Sequence, residues 1–411
     1  MLPREAGCNT MSKRGAPAAL FLAACLTAGT LLSPAALAAG EDALPAAALV
    51  NPEIPCQSAI LIEQTSGRVL FEKDPDTPMP PASITKIMTL LLVMEALDAG
   101  TITLETAVTC SPHAASMGGA QIWLEPGEQM TVHELLKATA ISSANDAAVA
   151  LGELISGSEE AFVARMNERA GELGMKNTTF QNATGLDAQG HLTTARDIAV
   201  MSQALLSHPL ITEYSTVWMD SLRNGETQLV NTNKLVRFFE GATGLKTGTT
   251  DGAGYCLSAS ATRKGLSLIA VVLGADTSDH RFGSARGLLE YGFAHYEARE
   301  VPPPDPALEP LPVRRGVRRT VELACDAPKR MLLEKGRGEQ LTEQRELAGE
   351  LEAPVDAGTR VGTIRLLLDG VVVCEYPVKT ASAVERMTMK SAFPMFWGEL
   401  IRMGPAGDGN G

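Results

Sequence analysis

The chain lacks any surplus of positive charge. Its 411 residues carry 35 Lys and Arg against 48 Asp and Glu, a formal net charge of −13. Phosphate backbones are bound by basic surfaces, so this balance argues against nucleic acid as the main partner. The acidity is spread along the chain and is read as solubility only. Also missing is any Cys-x-x-Cys pair or Cys/His cluster at zinc spacing among Cys8, Cys25, Cys56, Cys110, Cys256, Cys325 and Cys374, which leaves no sequence case for a structural metal. A disulfide framework is not expected in a chain this large. A single Cys325–Cys374 bridge is the one pairing suggested by their shared C-terminal region, and the other mature cysteines are expected as small buried side chains. No internal repeat is present. The hydrophobic fraction of 45% is too high for disorder and ordinary for a globular protein, and the length predicts two domains with extra segments.

Residues 1–38 read as a secretory signal peptide. Lys13 and Arg14 precede an apolar stretch from about Ala16 to Leu32, and Ala36-Leu37-Ala38 offers a small-x-small cleavage site. Met11 is an alternative start. An uncleaved anchor, and a lipoprotein box at Leu22–Cys25, are the lesser alternatives, because the apolar stretch runs well past Cys25.

Beyond the leader, "SAILIEQTSGRVLFEKD" (58–74) is a hairpin pattern around a turn. Helical blocks follow: "ITKIMTLLLVMEALDAG", then "TVHELLKATAISSANDAAVALGELI" with a polar break at Ser142–Asp146, then "SEEAFVARMNERAGELGM". Past Gly241 the pattern turns to strands, "GLKTGTT", "GYCLSASATRKG" and "LSLIAVVLGAD", closed by the helix "SARGLLEYGFAHYEA". Strands, then helices, then strands predict one α+β domain over 45–300 whose outer segments complete a single antiparallel sheet. A proline-rich linker (301–312) leads to a small all-β domain (313–380) with a strong hairpin signal at Asp369-Gly370. At the end, Phe393, Phe396, Trp397, Leu400 and Ile401 fall on one helical face. This predicts an amphipathic helix over 383–403 that lies in a membrane surface, the alternative being a helix docked on the β domain.

Three short patterns carry chemistry. The first is Ser83-x-x-Lys86 in "PASITKIMTL". Chance supplies about one such pair in a chain this long, but here it opens an apolar helix. Residues i and i+3 share a face, so the amine reaches the hydroxyl. Desolvation and the helix dipole both disfavour the charged amine, which makes it a proton acceptor for a serine nucleophile. The second is Ser143-Ala144-Asn145, where a helix break turns a hydroxyl and an amide into one cleft. The third is Lys246-Thr247-Gly248, on a strand: charge and hydroxyl for a carboxylate, and a glycine that leaves room for a substrate backbone. Each has a plain structural alternative: a snorkelling lysine beside a cap, an interhelical turn, an exposed edge-strand lysine.

Their order along the chain is the serine acyl-transferase set of penicillin-binding proteins and class A β-lactamases, with Ala144 where the usual second pattern has aspartate. The longer stretches "PASITKIMT", "GGAQIWLEPGE", "ISSANDAAVAL", "NATGLDAQGHLTTARDIA", "NTNKL", "GLKTGTTDGAGYCLSASA" and "HRF" resemble the D-alanyl-D-alanine carboxypeptidases, the low-molecular-mass penicillin-binding proteins. The resemblance is dense over about 45–300 and looser beyond. It implies a β-lactamase/transpeptidase-like domain, an antiparallel sheet with a helical subdomain, followed by a small β-sandwich-like domain. It implies that Ser83 attacks the bond between two terminal D-alanines of a peptidoglycan stem peptide. Lys86 would be the general base and Ser143 the proton relay to the leaving nitrogen. Lys246, Thr247 and Arg281 would hold the terminal carboxylate, the N–H groups of Ser83 and Thr249 the oxyanion, and Asn145 the substrate backbone. No metal or organic cofactor is needed, and β-lactams would acylate the same serine. The implied setting is the outer face of a bacterial cytoplasmic membrane, where removal of D-alanine limits cross-linking. His191 is expected as a loop histidine bonded to backbone, with positioning of the deacylating water as the alternative. No Glu-x-x-Leu-Asn lies between Ser143 and Lys246, which favours a carboxypeptidase over a β-lactamase. A D,D-endopeptidase or transpeptidase, and a non-catalytic wall-binding protein, are the further alternatives.

Overall fold

A computed structural model describes residues 53–336 and 341–394. Its centre is a five-stranded antiparallel sheet in the order β2-β1-β5-β4-β3. Here β1 is Ser58–Glu63, β2 Val69–Lys73, β3 Ala242–Thr250, β4 Gly254–Arg263 and β5 Leu266–Ala275. The N-terminal hairpin joins the C-terminal strands through β1 and β5, in register from Ser58 opposite Leu273 to Glu63 opposite Leu268. The expected α+β architecture is therefore present. Strands β4 and β5 are buried along nearly their whole length because helices cover both faces of the sheet.

On one face pack α1 (Lys86–Asp98), α2 (Asn145–Ser156), α3 (Glu159–Glu172) and α4 (Ala195–Leu206), around a single large apolar cluster. On the other lies α5 (Ser278–His295), whose Leu288 and Leu289 pack in one cluster with Leu257, Ala259 and Leu268 of the sheet. Helix α1 runs through the middle of the first cluster, and every residue from Lys86 to Met94 is buried. A helix apolar all round has no solvent face, so a lysine at its first position is buried with it.

The closing helix stops at His295. The pattern "SARGLLEYGFAHYEA" predicts a helix on to Ala298, and the first domain is expected to reach 300; instead Tyr296–Glu300 is a strand paired with Arg330–Glu334. The proline-rich stretch likewise ends early, with Leu311 and Pro312 already paired to Val321 and Thr320. The remaining strands form a small all-β domain. Its longest hairpin joins Arg360–Leu368 to Val371–Thr380 through Asp369 and Gly370, both at positive φ as a type I′ turn requires. Cys325 and Cys374 are free thiols there, as are Cys56, Cys110 and Cys256, so the suggested bridge is not formed.

The helix expected over 383–403 starts later. Residues before 389 are extended, with Val384 bridged to Val355 and Arg386 to Gly316, and helix occupies 389–394. Phe396, Trp397, Leu400 and Ile401 lie outside the described residues, as does the signal segment. Among the described residues no helix is long and apolar enough to cross a membrane.

Candidate active site

Ser83 sits in a single 3-10 turn, Ala82–Thr85, that feeds directly into α1. The chain enters this turn through Ala82 at φ 48°, a left-handed conformation that an alanine holds only when its surroundings impose it. Two backbones do so. A Cβ on Gly185 would stand 1.8 Å from the Ala82 carbonyl oxygen, and one on Gly248 would stand 3.0 Å from the Ser83 nitrogen. The loop after Asn182 and the edge strand β3 thus close on the turn from two sides, leaving Ser83 half-buried between them.

The Lys86 ammonium is fully buried and has three partners. Its Nζ lies 3.1 Å from Ser83 Oγ, 2.5 Å from Asn145 Oδ1 and 2.8 Å from the Thr184 carbonyl oxygen. Burial pushes its pKa well below the usual lysine value; the nearby Lys246 pushes the same way and Asp146 opposes. Thus the two side chains of the Ser-x-x-Lys pair are in direct hydrogen-bond contact.

The helix break expected at Ser142–Asp146 is built in two steps. The helix Val132–Lys137 widens into a π-turn at Ala138–Ser142, and Ser143 then takes a left-handed conformation (φ 68°, ψ 27°) before α2 starts at Asn145. Ser143 is 5% exposed and lies two residues before the amide that grips Lys86. No hydrogen bond from its hydroxyl is seen among the described residues. Asn145, expected to bind substrate backbone, has both ends of its amide engaged within the protein. Its oxygen accepts from Lys86 and its Nδ2 donates to the Gly118 carbonyl at 2.6 Å.

The third group lines the edge strand. Lys246 is 1% exposed and donates to the Thr247 carbonyl at 2.9 Å. Burial, helped by the charge of Arg281, brings its pKa down to about 7. Thr247 Oγ1 donates to Thr232 Oγ1 at 2.6 Å. From the start of α5, Arg281 reaches back to the strand. Its Nη1 donates to Thr249 Oγ1 at 3.1 Å and to the Gly248 carbonyl at 3.3 Å, while its buried Nε has no partner. The ring of Phe282 lies under the guanidinium at 4.6 Å. Lys86, Lys246 and Arg281 are three buried basic side chains at this site, in a chain of net charge −13.

Ser83, Lys86 and Asn145 are therefore joined by direct bonds, as are Thr249, Gly248 and Arg281, and Gly248 ties the two sets together at the Ser83 nitrogen. Several partners escaped the sequence reading. The Thr184 carbonyl and Gly185 carried no side-chain signal, although a glycine after "NAT" is a hint of close backbone approach. Thr232, inside "NTNKL", is the hydroxyl that receives Thr247. His191 follows its plain reading. Its Nδ1 accepts from the Gln181 amide at 3.1 Å, so its Nε2–H faces Thr85 Oγ1 at 2.9 Å, and burial drops its pKa to about 4. It is a neutral strut behind α1.

Comparisons with known proteins identify the family. The family described as D-alanyl-D-alanine carboxypeptidase (Peptidase S11) matches residues 46–277, and the C-terminal domain of penicillin-binding protein 5 matches 296–386. D-alanyl-D-alanine carboxypeptidase DacF of Bacillus subtilis is 44% identical over 326 residues, 78% of this chain and 84% of that protein. The crystal structure of penicillin binding protein 5 from Haemophilus influenzae gives a TM-score of 0.74 at 30% identity, over 82% of this chain and 99% of that one. Ampicillin-bound penicillin-binding protein D2 from Listeria monocytogenes gives 0.52 at 34% identity, over 59% of this chain and 99% of that one. With a matching family over most of the catalytic domain, and a serine and a buried lysine in contact at its centre, the chain belongs to the D-alanyl-D-alanine carboxypeptidases of the S11 serine peptidase family.

Proposed function

We propose that the protein removes the terminal D-alanine from peptidoglycan stem peptides through an acyl-serine intermediate. The observation that carries this is the 3.1 Å contact between Ser83 Oγ and a fully buried Lys86 amine whose pKa is depressed. A neutral amine takes the hydroxyl proton as Oγ bonds to the carbonyl carbon. That proton passes from Lys86, by way of Ser143, to the nitrogen of the departing D-alanine as the C–N bond breaks. Water then bonds to the acyl carbon, gives its proton to Lys86, and the Oγ–C bond breaks with return of that proton to Ser83. The N–H groups of Ser83 and Thr249 would receive the oxyanion. The substrate would lie along the outer edge of β3, beside Gly248, with its carboxylate toward Lys246, Thr247 and Arg281. In this reading Asn145 fixes the base. The same serine would be acylated by β-lactams, in keeping with the ampicillin-bound relative, and the product would limit cross-linking of the wall.

Release of D-alanine from an N-acylated tripeptide ending in D-Ala-D-Ala tests the reading, and Arg281→Ala tests its orientation. A charge-assisted contact is worth about 1.5–3 kcal/mol. KM for the tripeptide should therefore rise about 10- to 100-fold with kcat much less affected, and most of the difference should vanish for the C-terminal carboxamide. Equal losses on acid and amide would show that Arg281 does not meet the carboxylate.

We further propose export through the leader and attachment to the outer face of the cytoplasmic membrane by the C-terminal segment. Support comes from the Phe/Trp face and from Met389 and Phe393, which are 89% and 66% exposed. Deleting 390–411 should release the mature protein from anionic lipid vesicles; unchanged sedimentation with the vesicles would refute attachment by this segment.

A further inference from the structure

The stretch "GGAQIWLEPGE" is not used by the catalytic residues, yet it is fastened to them. Its backbone wraps the start of α2 at alternate residues. Asn145 accepts nothing from it but donates twice, from Nδ2 to the Gly118 carbonyl at 2.6 Å and from its backbone N–H to the Ala120 carbonyl at 2.7 Å. Asp146, 1% exposed, then accepts from the Ile122 amide at 3.1 Å and the Leu124 amide at 3.0 Å. From outside, Arg223 donates to the Ile122 carbonyl at 2.8 Å and the Trp123 carbonyl at 3.4 Å, and its guanidinium is paired with Glu128 at 2.8 Å.

The residue at the centre of these clamps is Trp123. Its backbone is left-handed, φ 60°, and its side chain is 75% exposed. Single exposed apolar side chains are ordinary on protein surfaces, but a buried carboxylate and a paired arginine fixing the backbone on either side of one are not. The contrast with Trp218 is direct: that ring is covered by Phe238 at 6.0 Å and by Arg237 at 5.5 Å. Trp123, 75% exposed, gains little from core packing, and the positive φ disfavours any residue with a Cβ. Its position is also set by the catalytic machinery, because Asn145 and Asp146 are consecutive: one holds the Lys86 amine, the other the Trp123 loop.

We propose that Trp123 is a substrate-binding residue whose indole stacks on a pyranose ring of the glycan strand to which the stem peptide is attached. This rests on the peptidoglycan reading above. A stem with its D-alanyl end at Ser83 leads away from the cleft toward its sugar. An open indole plate without pocket walls suits the flat C–H face of a pyranose, whose slightly positive hydrogens meet the negative face of the ring. A peptide side chain would call for an enclosing pocket. The residue acts on binding and takes no part in bond breaking.

The test compares three substrates: a disaccharide-pentapeptide, the sugar-free pentapeptide, and an N-acylated tripeptide. Trp123→Ala should raise KM for the first by about five- to twentyfold, leave the other two and the rate of acylation by penicillin within twofold, and Trp123→Phe should restore most of the loss. Calorimetric binding of the disaccharide-pentapeptide to the acylation-dead Ser83→Ala protein, with and without Trp123→Ala, gives the same comparison without turnover. It should show the same five- to twentyfold weakening. Absence of turnover by the wild-type chain would overturn the carboxypeptidase reading while leaving the binding comparison intact. Equal loss on the sugar-free pentapeptide would mean that the indole reads peptide. Loss extending to the tripeptide and penicillin would mean a structural role, and no change on any substrate would mean no contact. Each of these three results overturns the proposal.

Discussion

Ser83→Ala should abolish both formation of a covalent penicillin adduct and release of D-alanine, with turnover falling by on the order of 10⁴-fold or more, as for other activated serine nucleophiles. The fold should survive, because the side chain is half-buried and its one hydrogen bond is to Lys86. Intact-protein mass spectrometry after brief exposure to penicillin gives the result directly. The wild-type chain should gain the mass of one whole penicillin and keep it. Ser83→Ala should gain nothing at any time. Rapid loss of the adduct with ring-opened product would instead place the chain among β-lactamases, and a wild-type chain without adduct would favour a non-catalytic binding protein.

Lys86→Met keeps the length of the side chain and removes the base. Acylation should fall by about 10³-fold or more, since a positioned base alone contributes about 10²–10⁴-fold and the hydroxyl also loses its nearest partner. The wild-type pH profile supplies the sign. A base works neutral, so acylation is full above the Lys86 pKa in the folded protein and falls as pH drops through it. That value is depressed by burial and by Lys246, so the acid limb should lie well below the titration of a free lysine. Burial drops the His191 pKa to about 4, so a limb near neutrality belongs to Lys246, brought down to about 7, and not to His191. An acid limb at the ordinary lysine value would contradict a depressed Lys86 as the base. Stability follows the same linkage. Lys246 has a pKa of about 7 when folded and 10.5 as an ordinary lysine. Between those values the unfolded chain binds more protons, so stability rises with pH across that window. Urea melts between pH 7 and 10 check this, and a Lys246→Met variant should lose that part of the slope.

Much of the site was legible because its reactive groups are side chains at short spacings. Ser83 and Lys86 share one helical face, Ser143 and Asn145 flank one break, and Lys246 and Gly248 lie on one side of a strand. The order of strands and helices likewise foretold a sheet closed by both ends of the domain, since strands come first, helices lie between and more strands end the unit. What stayed hidden was of another kind. The Thr184 carbonyl that holds Lys86 is 98 residues away in sequence, and a carbonyl has no residue type to betray it. The use of both ends of Asn145 depends on where the 118–124 loop passes, which no local pattern encodes. The boundary at Tyr296 was missed because "HYEARE" reads as the end of a helix until its partner strand, Arg330–Glu334, is known.

Gly185 cannot accept even one more carbon without striking the backbone that carries Ser83, and a carbon on Gly248 would press on it at 3.0 Å. The innermost wall of the cleft is therefore closed to variation at Gly185: a methyl group there moves the Ser83 turn before it changes what Ser83 meets. Any drift in the choice of peptide, or in tolerance of a lactam ring, is channelled to the outer rim, where Leu186 is 39% and Trp123 75% exposed. Homologous enzymes sharing this wall would diverge in preference by exchanging rim side chains while the chemistry beneath stays the same.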